Sequence, residues 1–250
     1  KMFGNKWTSE YYDAMEFYYW EPQHLGKIKN PKSRYNNQFK SLEHIRNMEV
    51  SLNHMFNVFF RLTPSKFVSD LLSTTCNVVA DSKLSMQGRY DVRKFSKMVQ
   101  PDLLFVSDNI NFSIEMKIGA KSSLEQVYKY ALLHWLEQQH SGRKRQSVLL
   151  YIGKGEFQDL WSEKFNNFQE LIKVAIDFDI GKLQIRAKKV EDIDINWDEV
   201  QDILSNTIID YCSYSDFNRL LNGYSDESSS ETEVKLFDGL SFELEKRGLS

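Results

Sequence analysis

The sequence VQPDLLFVSDNINFSIEMK, residues Val99–Lys117, has two apolar runs on either side of a polar Ser-Asp-Asn cluster. Apolar runs that flank such a cluster are typical of two antiparallel strands joined by a tight turn. With Asp108–Asn109 as the loop, Leu103 faces Ile114 across the hairpin. We therefore predict a β-hairpin of defined register at the centre of the fold.

The hairpin register also brings three charged residues together. Asp102 falls opposite Glu115, which places their Cβ atoms about 4.5–5.5 Å apart. Because side chains alternate along a strand, Glu115 and Lys117 share one face while Met116 points to the other. Charges within an apolar strand are costly unless they are paired or bind a metal ion. The three residues therefore indicate either a cation site or a salt bridge between strands.

A further acidic residue lies on the helix that is predicted before the hairpin. The apolar spacing predicts this helix over Ser41–Arg61, and Pro64 marks its end. Glu49 projects within the apolar stripe, so its carboxylate is expected to face inward. The alternative is a glutamate at the helix edge that bends back to solvent. The stripe itself consists of Ile45, Met48, Leu52, Met55, Phe56 and Phe59.

A second helix is predicted after the hairpin, from Ser123 to Gln139. Gln126 and Tyr130 project from its polar face, where core packing does not explain them. They are either ordinary exposed side chains or part of a site.

Strands and helices alternate beyond this helix. A buried strand is predicted over Val148–Ile152, a helix over Phe157–Ile176 and a further strand after Gly181. This alternation favours an α/β fold with a central mixed sheet flanked by helices.

The net charge of −3 conceals a difference between the two ends of the chain. Val190–Ser250 contain 15 acidic and 4 basic residues, whereas the preceding part contains 28 basic and 20 acidic residues. A basic surface attracts phosphate backbones, although an excess of this size is common in other proteins. The patterns predict four segments: an aromatic and basic N-terminal extension (1–40), a core (41–190), an acidic helical segment (191–222), and a flexible acidic linker with a short tail (223–250).

Composition also excludes some classes of protein. No apolar run approaches the ~18 residues that cross a bilayer, and no signal peptide opens the chain, so we expect a cytoplasmic protein with no membrane partner. Cys76 and Cys212 match no metal-ligand spacing, and the five histidines are scattered. A zinc site is therefore not expected.

These residues together resemble the PD-(D/E)xK nuclease superfamily, which has the restriction-endonuclease-like fold. Pro101-Asp102 followed, after twelve intervening residues, by Glu115-Met116-Lys117 matches its signature in order and spacing. Glu49 matches the acidic residue on the first core helix of that family, and Gln126 and Tyr130 resemble its QxxxY element. The resemblance covers residues 41–152 and implies a restriction-endonuclease-like core with helical N- and C-terminal elaborations.

The resemblance implies a metal-dependent nuclease that hydrolyses phosphodiester bonds, with DNA as the expected substrate and restriction or phage defence as the expected setting. Mg²⁺, for which Mn²⁺ can substitute, would be held by Asp102, Glu115 and the backbone carbonyl of Met116. Lys117 would orient the attacking water and offset developing negative charge. Glu49 would bind a second ion or act through a water molecule. The alternative is a nuclease-like module that binds nucleic acid or protein without cleaving it.

The accessory and partner surfaces are less specific. Gln126 and Tyr130 would either steady the active-site strand or contact the phosphate backbone. Aromatic residues crowd the N-terminal extension, where packing or a protomer interface is a better interpretation than stacking on bases. A sister subunit or partner protein is thus expected at this extension or at the acidic C-terminal part. The aromatic residues are Trp7, Tyr11, Tyr12, Phe17, Tyr18, Tyr19 and Trp20.

Overall fold

The structure, a computed structural model, describes residues 6–12, 49–87, 101–183 and 194–250. The chain divides into two compact units. The first unit contains residues up to Thr63 together with Ser215–Ser250, and the second spans Pro64–Tyr214. The predicted core, residues 41–190, therefore crosses the boundary between the units. Residues 13–48, with most of the predicted N-terminal extension, lie outside the described part.

The second unit is an α/β structure with an open, five-stranded mixed sheet flanked by helices. The strands are β1 (Ser85–Met86), β2 (Leu103–Val106), β3 (Ile110–Lys117), β4 (Gln146–Gly153) and β5 (Ile208–Ser213). They lie side by side in sequence order. The pairs β1–β2 and β2–β3 are antiparallel, whereas β3–β4 and β4–β5 are parallel.

The helices in chain order are α1 (Glu49–Leu62), α2 (Ser65–Cys76), α3 (Leu124–Ser141), α4 (Phe168–Ile176), α5 (Trp197–Ser205), α6 (Tyr214–Glu227) and α7 (Glu231–Lys246). In the second unit, α3 contacts β3 and β4 and packs against α4 and α5, while α2 contacts β4 and β5. None of the helices in the described ranges has both the length and the apolarity required to cross a bilayer.

The β2–β3 hairpin has the predicted register, which is confirmed by the pairing of Leu103 with Ile114. Its turn at Asp108–Asn109 is closed by a hydrogen bond of 2.9 Å from Ser107 N to the carbonyl of Ile110. The hydroxyl of Ser107 also donates to the Asn109 side chain over 2.8 Å. Polar turn residues thus fix the register on which the position of Asp102 depends.

Helix α3 has the predicted position, and both of its ends have a local cause. Ser123 precedes the helix, and its side chain accepts a hydrogen bond from the backbone N–H of Gln126. Gly142 follows the helix with φ of 66°, a left-handed conformation that glycine adopts without steric cost. The end predicted for α1 at Pro64 is also confirmed, because α1 stops at Leu62.

The segment after β4 differs from the single helix predicted over Phe157–Ile176. Residues Phe157–Leu160 form a 3-10 turn, and α4 starts only after an irregular stretch. Within that stretch Trp161 is extended and forms a parallel bridge with Ser122. This contact diverts the backbone from the helix, and the side chain of Asn167 then caps α4.

The acidic C-terminal part contains structure that the sequence prediction missed. Strand β5 lies inside the segment predicted as helical and pairs in parallel with β4. The segment predicted as a flexible linker and short tail (223–250) is largely helical instead, because α6 continues to Glu227 and α7 begins at Glu231. Ser230 caps α7 by accepting from the N–H of Glu233, so residues typical of linkers serve as helix caps. Ile180–Lys182 form a 3-10 turn, and the strand predicted after Gly181 lies almost entirely in residues 184–193, outside the described part.

The first unit is helical where it is described, with residues 7–12, α1, α6 and α7. Phe56 stacks on Phe217 with ring centroids 5.3 Å apart. Glu243 of α7 and Arg247, the residue after this helix, form a buried ion pair of 2.7 Å, and Tyr12 donates its hydroxyl hydrogen to Glu243 over 2.8 Å. Polar bonds between distant parts of the chain thus supplement the aromatic core of this unit.

The described aromatic residues of the N-terminal extension pack within their own chain. Trp7 Nε1 donates to the carbonyl of Leu236 over 3.0 Å. The hydroxyl of Tyr11 lies 3.2 Å from Nδ1 of His54. The packing interpretation therefore holds for these side chains, whereas residues 17–20 lie outside the described part.

Candidate active site

The hairpin brings Asp102 against the strand that carries Glu115. Asp102 directly precedes β2, and its Oδ2 atom accepts a hydrogen bond of 2.8 Å from the backbone N–H of Met116. Because the N–H and C=O of one strand residue point to the same side, the Met116 carbonyl faces the side on which Asp102 lies. One carboxylate and one backbone carbonyl thus lie close to Glu115.

Glu115 is 5% exposed and is held by three donors from two elements. On Oε1 it accepts from Lys117 Nζ at 2.7 Å and from Gln126 Nε2 at 2.5 Å. On Oε2 it accepts from the hydroxyl of Tyr130. Charge-assisted bonds of this kind are about twice as strong as neutral ones, so the carboxylate has one defined orientation.

Tyr130 is buried beside Glu115, and the charges of both Glu115 and Asp102 act on its hydroxyl. Burial raises the pKa of Tyr130 well above 10, and the charges of Glu115 and then Asp102 raise it further. The hydroxyl therefore keeps its hydrogen throughout the neutral and mildly alkaline range and remains a donor. The structure thus brings Asp102, Glu115 and Lys117 together and adds Gln126 and Tyr130 to the same cluster.

Gln126 and Tyr130 lie on the polar face of α3, and this face does not point to solvent. The polar face of α3 is turned towards the sheet, and Tyr130 is buried. The apolar face instead packs on neighbouring segments, where the ring of Tyr128 lies 6.1 Å from that of Phe178 and 6.4 Å from that of Trp197. Helix α3 is buried on both faces, so its polar side chains meet a polar row rather than water.

That polar row consists of the side chains at odd-numbered positions of β3. Asn111 Nδ2 donates to the backbone carbonyl of His134 over 3.4 Å, and Ser113 Oγ lies 2.8 Å from His134 Nε2. Glu115 and Lys117 continue the row towards the end of the strand. The even-numbered side chains are apolar and fully buried: Ile110, Phe112, Ile114 and Met116.

His134 is a buried residue of this cluster that the sequence interpretation missed. It follows Tyr130 by four residues, and Tyr130 follows Gln126 by four, so the three side chains form one stripe along α3. Burial lowers the pKa of His134 to about 3, which keeps the imidazole neutral. The four-residue spacing of Gln126, Tyr130 and His134 was the signal in the sequence. It indicates a shared site only once the structure shows that the polar row of β3 lies opposite this stripe.

The sequence interpretation also missed Ser122 and Tyr151, two buried polar residues near Gln126. Ser122 is 5% exposed and donates from Oγ to Gln126 Oε1 over 3.0 Å. Tyr151 pairs with Glu115 in the parallel register of β3 and β4, and its hydroxyl lies 3.4 Å from Ser122 Oγ. Tyr151 interrupts an apolar strand much as Glu115 does, which was the signal in the sequence.

Glu49 is half-buried at the first described position of α1. It belongs to the first unit, whereas the other predicted site residues belong to the second. Its part in the site stays a prediction.

The oxygen atoms near Glu115 suit a particular kind of cation. The described ranges contain no group of three or more acidic, histidine or cysteine side chains that could hold a metal ion. Asp102, Glu115 and the Met116 carbonyl nevertheless match Mg²⁺, which binds through one or two carboxylates and retains several waters. A zinc site would require more protein ligands of nitrogen or sulfur.

Comparisons with family models, with curated proteins and with solved structures find no match to this chain. The function of these side chains must therefore follow from their chemistry and their geometry.

Proposed function

We propose that the protein is a metal-dependent nuclease with a restriction-endonuclease-like core. The observation that carries the proposal is the convergence of Asp102, Glu115 and Lys117 on one hairpin. Lys117 Nζ lies 2.7 Å from Glu115, and Asp102 accepts from the N–H of the intervening Met116. These three residues have the order and spacing of the PD-(D/E)xK signature. They belong to the β2–β3 hairpin, and α3 and β4 follow this hairpin in the chain.

Asp102, Glu115 and the Met116 carbonyl would hold the ion, with Mg²⁺ as the expected cation and Mn²⁺ as a substitute. A bound divalent cation supplies charge stabilisation for the phosphoryl oxygens and activates water for attack on phosphorus.

The protein side chains would contribute orientation and charge. The side chain of Lys117 is 11% exposed, and in this sheltered position a positive charge acts more strongly on a phosphate than in water. Lys117 would orient the attacking water and offset the negative charge that develops on the phosphoryl group. Gln126 and Tyr130 would keep the Glu115 carboxylate fixed, which favours the first of the two roles predicted for them, steadying the site.

DNA is the proposed substrate, and restriction or phage defence is the proposed setting. Both follow from the family resemblance of the motif. The excess of basic residues before Val190 is compatible with binding to a phosphate backbone.

A second candidate function is a nuclease-like module that binds nucleic acid or protein without cleaving it. One observation favours it: both oxygens of Glu115 already accept hydrogen bonds from the chain's own side chains. A carboxylate satisfied in this way is also the expected state of a purely structural glutamate.

A cleavage assay on the purified chain tests the proposal. Plasmid, linear duplex, single-stranded DNA and RNA are incubated with Mg²⁺, Mn²⁺ or EDTA, and binding is measured in parallel by gel shift. We expect cleavage with either metal ion, its loss in EDTA, and its loss in Asp102→Asn and Glu115→Gln while both variants remain folded. Binding without cleavage supports the second candidate, and undiminished cleavage by Asp102→Asn contradicts the proposed site.

A further inference from the structure

Ser122 links three elements around the candidate site. It lies between the end of β3 and the start of α3, and its backbone N–H donates to the carbonyl of Leu160 over 2.6 Å. Its hydroxyl lies 3.0 Å from Gln126 Oε1 and 3.4 Å from the hydroxyl of Tyr151. A buried serine with this many partners is well placed to control the orientation of the Gln126 amide.

The direction of each hydrogen bond follows from the donors and acceptors available. Glu115 faces a lysine ammonium group and a tyrosine hydroxyl, so its oxygens act as acceptors and the NH₂ end of Gln126 must point at Oε1. The carbonyl end of Gln126 then points at Ser122 and requires a donor. Ser122 Oγ supplies that donor at 3.0 Å and also donates, over a longer 3.4 Å, to the hydroxyl oxygen of Tyr151, so its hydrogen lies between two acceptors.

We infer that Ser122 and Tyr151 are positioning residues that set the Gln126 amide and, through it, the orientation of the Glu115 carboxylate. The contacts connect Tyr151 with Ser122, Ser122 with Gln126 and Gln126 with Glu115. This inference deepens the proposed function and rests on it for the catalytic consequence. The hydrogen-bonded chain itself stands on the contacts alone.

These hydrogen bonds matter because the Gln126 amide can present either its oxygen or its nitrogen to Glu115. A reversed Gln126 would place its carbonyl oxygen where its nitrogen now lies, 2.5 Å from Glu115 Oε1, and two acceptors repel at that distance. The Ser122 hydroxyl makes the productive orientation the favoured one. Burial raises the pKa of the Tyr151 hydroxyl, so that group also keeps its hydrogen near neutral pH.

The chain provides a matched control for the test. Ser147 on β4 is 4% exposed, close to the 5% of Ser122. Its hydroxyl has no hydrogen-bond partner among the residues that the structure describes. Ser147→Ala therefore removes a buried serine hydroxyl without changing any of the hydrogen bonds that connect Tyr151, Ser122, Gln126 and Glu115.

The experiment compares Ser122→Ala, Ser122→Thr, Tyr151→Phe and Ser147→Ala in the full chain. The first readout is the pair of side-chain amide signals of Gln126 in ¹H–¹⁵N spectra, assigned from their disappearance in Gln126→Leu. The second is the kcat and KM for plasmid cleavage. Thermal unfolding checks that each variant is folded.

We expect Ser122→Ala to shift the Gln126 signals and to lower kcat by about ten- to a hundredfold, as is typical for the loss of a group that orients a metal ligand, with KM less affected. Ser122→Thr should restore both readouts, and Ser147→Ala should leave both unchanged. Unmoved Gln126 signals in Ser122→Ala, or equal shifts in Ser147→Ala, overturn the inference.

The nuclease proposal and the inference about Ser122 can fail independently of each other. A wild-type chain that cleaves no nucleic acid contradicts the nuclease proposal, while the Gln126 signals still decide whether Ser122 orients the amide. A Ser122→Ala chain that does not fold transfers the test to Tyr151→Phe, for which shifted Gln126 signals support the inference and unmoved signals overturn it.

Discussion

The ammonium group of Lys117 lies 2.7 Å from Oε1 of Glu115, and the side chains of the pair are only 11% and 6% exposed. A sheltered pair of this kind is little screened by salt. Removal of one charge from such a pair leaves the other charge buried and usually lowers the free energy of unfolding. Gln126 and Tyr130 still donate to Glu115 when Lys117 is replaced. The effect of the Lys117 charge on activity can therefore be measured in a folded protein.

Replacing Lys117 by methionine should abolish cleavage while the protein stays folded. Loss of the ammonium group removes a charge that stabilises the transition state, and we expect activity to fall by at least about a hundredfold. The free energy of unfolding should fall by no more than about 3 kcal/mol, because two donors to Glu115 remain. Plasmid cleavage rates and urea denaturation measure the two effects.

Lys129→Met is the matched control for this variant. Lys129 forms an ion pair of 2.6 Å with Glu125 one turn away on α3, outside the cluster. Such helix-surface pairs contribute about 0.3–0.5 kcal/mol, so both activity and stability should be nearly unchanged. Equal loss of cleavage in the two variants would show that Lys117 has no specific role.

Tyr130→Phe should destabilise the protein and slow cleavage. The change removes the donor to Oε2 of Glu115 and leaves a buried carboxylate oxygen without that bond, at a cost of about 1–3 kcal/mol. Tyr128→Phe is the control, because the hydroxyl of Tyr128 is buried with no hydrogen-bond partner in the described part of the chain. Removing that hydroxyl should be neutral or stabilising. Urea denaturation of both variants checks the difference, which must be present if Tyr130 holds Glu115.

Features encoded by neighbouring residues were predictable from the sequence. The hairpin register follows from the turn at Asp108–Asn109, and the ends of α3 follow from Ser123 and Gly142. The grouping of Asp102 with Glu115 depends only on that register. The predictions of the register and of the helix ends succeeded because the partners lie within a few residues of the turn or the cap.

Features that depend on distant partners were not predictable. Strand β5 is short, lies in an acidic segment and gains its hydrogen bonds from β4, where Val148 pairs with Ile208 some 60 positions later. The periodicity of α3 gave its two faces but could not reveal that both are buried, so His134 went unnoticed. Residues such as Ser230 suit a linker and a helix cap equally well, and tertiary packing decides between them.

Acid should weaken the fold through His134. In the unfolded chain this imidazole takes up a proton below its ordinary pKa of 6.5, whereas burial keeps it neutral in the folded state down to about pH 3. The unfolded state therefore binds more protons as the pH falls from 6.5 towards 3, and each pH unit removes roughly 1.4 kcal/mol of stability. Above pH 6.5 this contribution is fully present.

The variant His134→Gln isolates this effect, because glutamine does not titrate and can still bond to Ser113. Urea denaturation at pH 7.5 and pH 5 should show a pH-dependent loss that is about 2 kcal/mol larger in the wild type than in the variant. Identical pH dependence in both proteins would mean that His134 is not held neutral by burial.

Gly239→Ala should destabilise the first unit, because a Cβ atom at this position would overlap the indole ring of Trp7. The ring cannot easily move away, since Trp7 Nε1 donates to the Leu236 carbonyl over 3.0 Å and Thr8 Oγ1 donates to the carbonyl of Gly239 itself over 3.0 Å. Overpacking of this kind costs about 1–3 kcal/mol. Gly223→Ala is the matched control inside α6, where an added Cβ meets nothing within 4 Å.

Alanine is the better helix former, so Gly223→Ala should stabilise the protein by up to about 1 kcal/mol, and the two substitutions should move the urea midpoint in opposite directions. Adding Trp7→Ala to Gly239→Ala should then cost less than the sum of the single changes, because the clash is already relieved. Additive losses would place the cost of Gly239→Ala elsewhere in the helix, and a shift of the same sign in both glycine variants would contradict the close approach of Trp7 to α7.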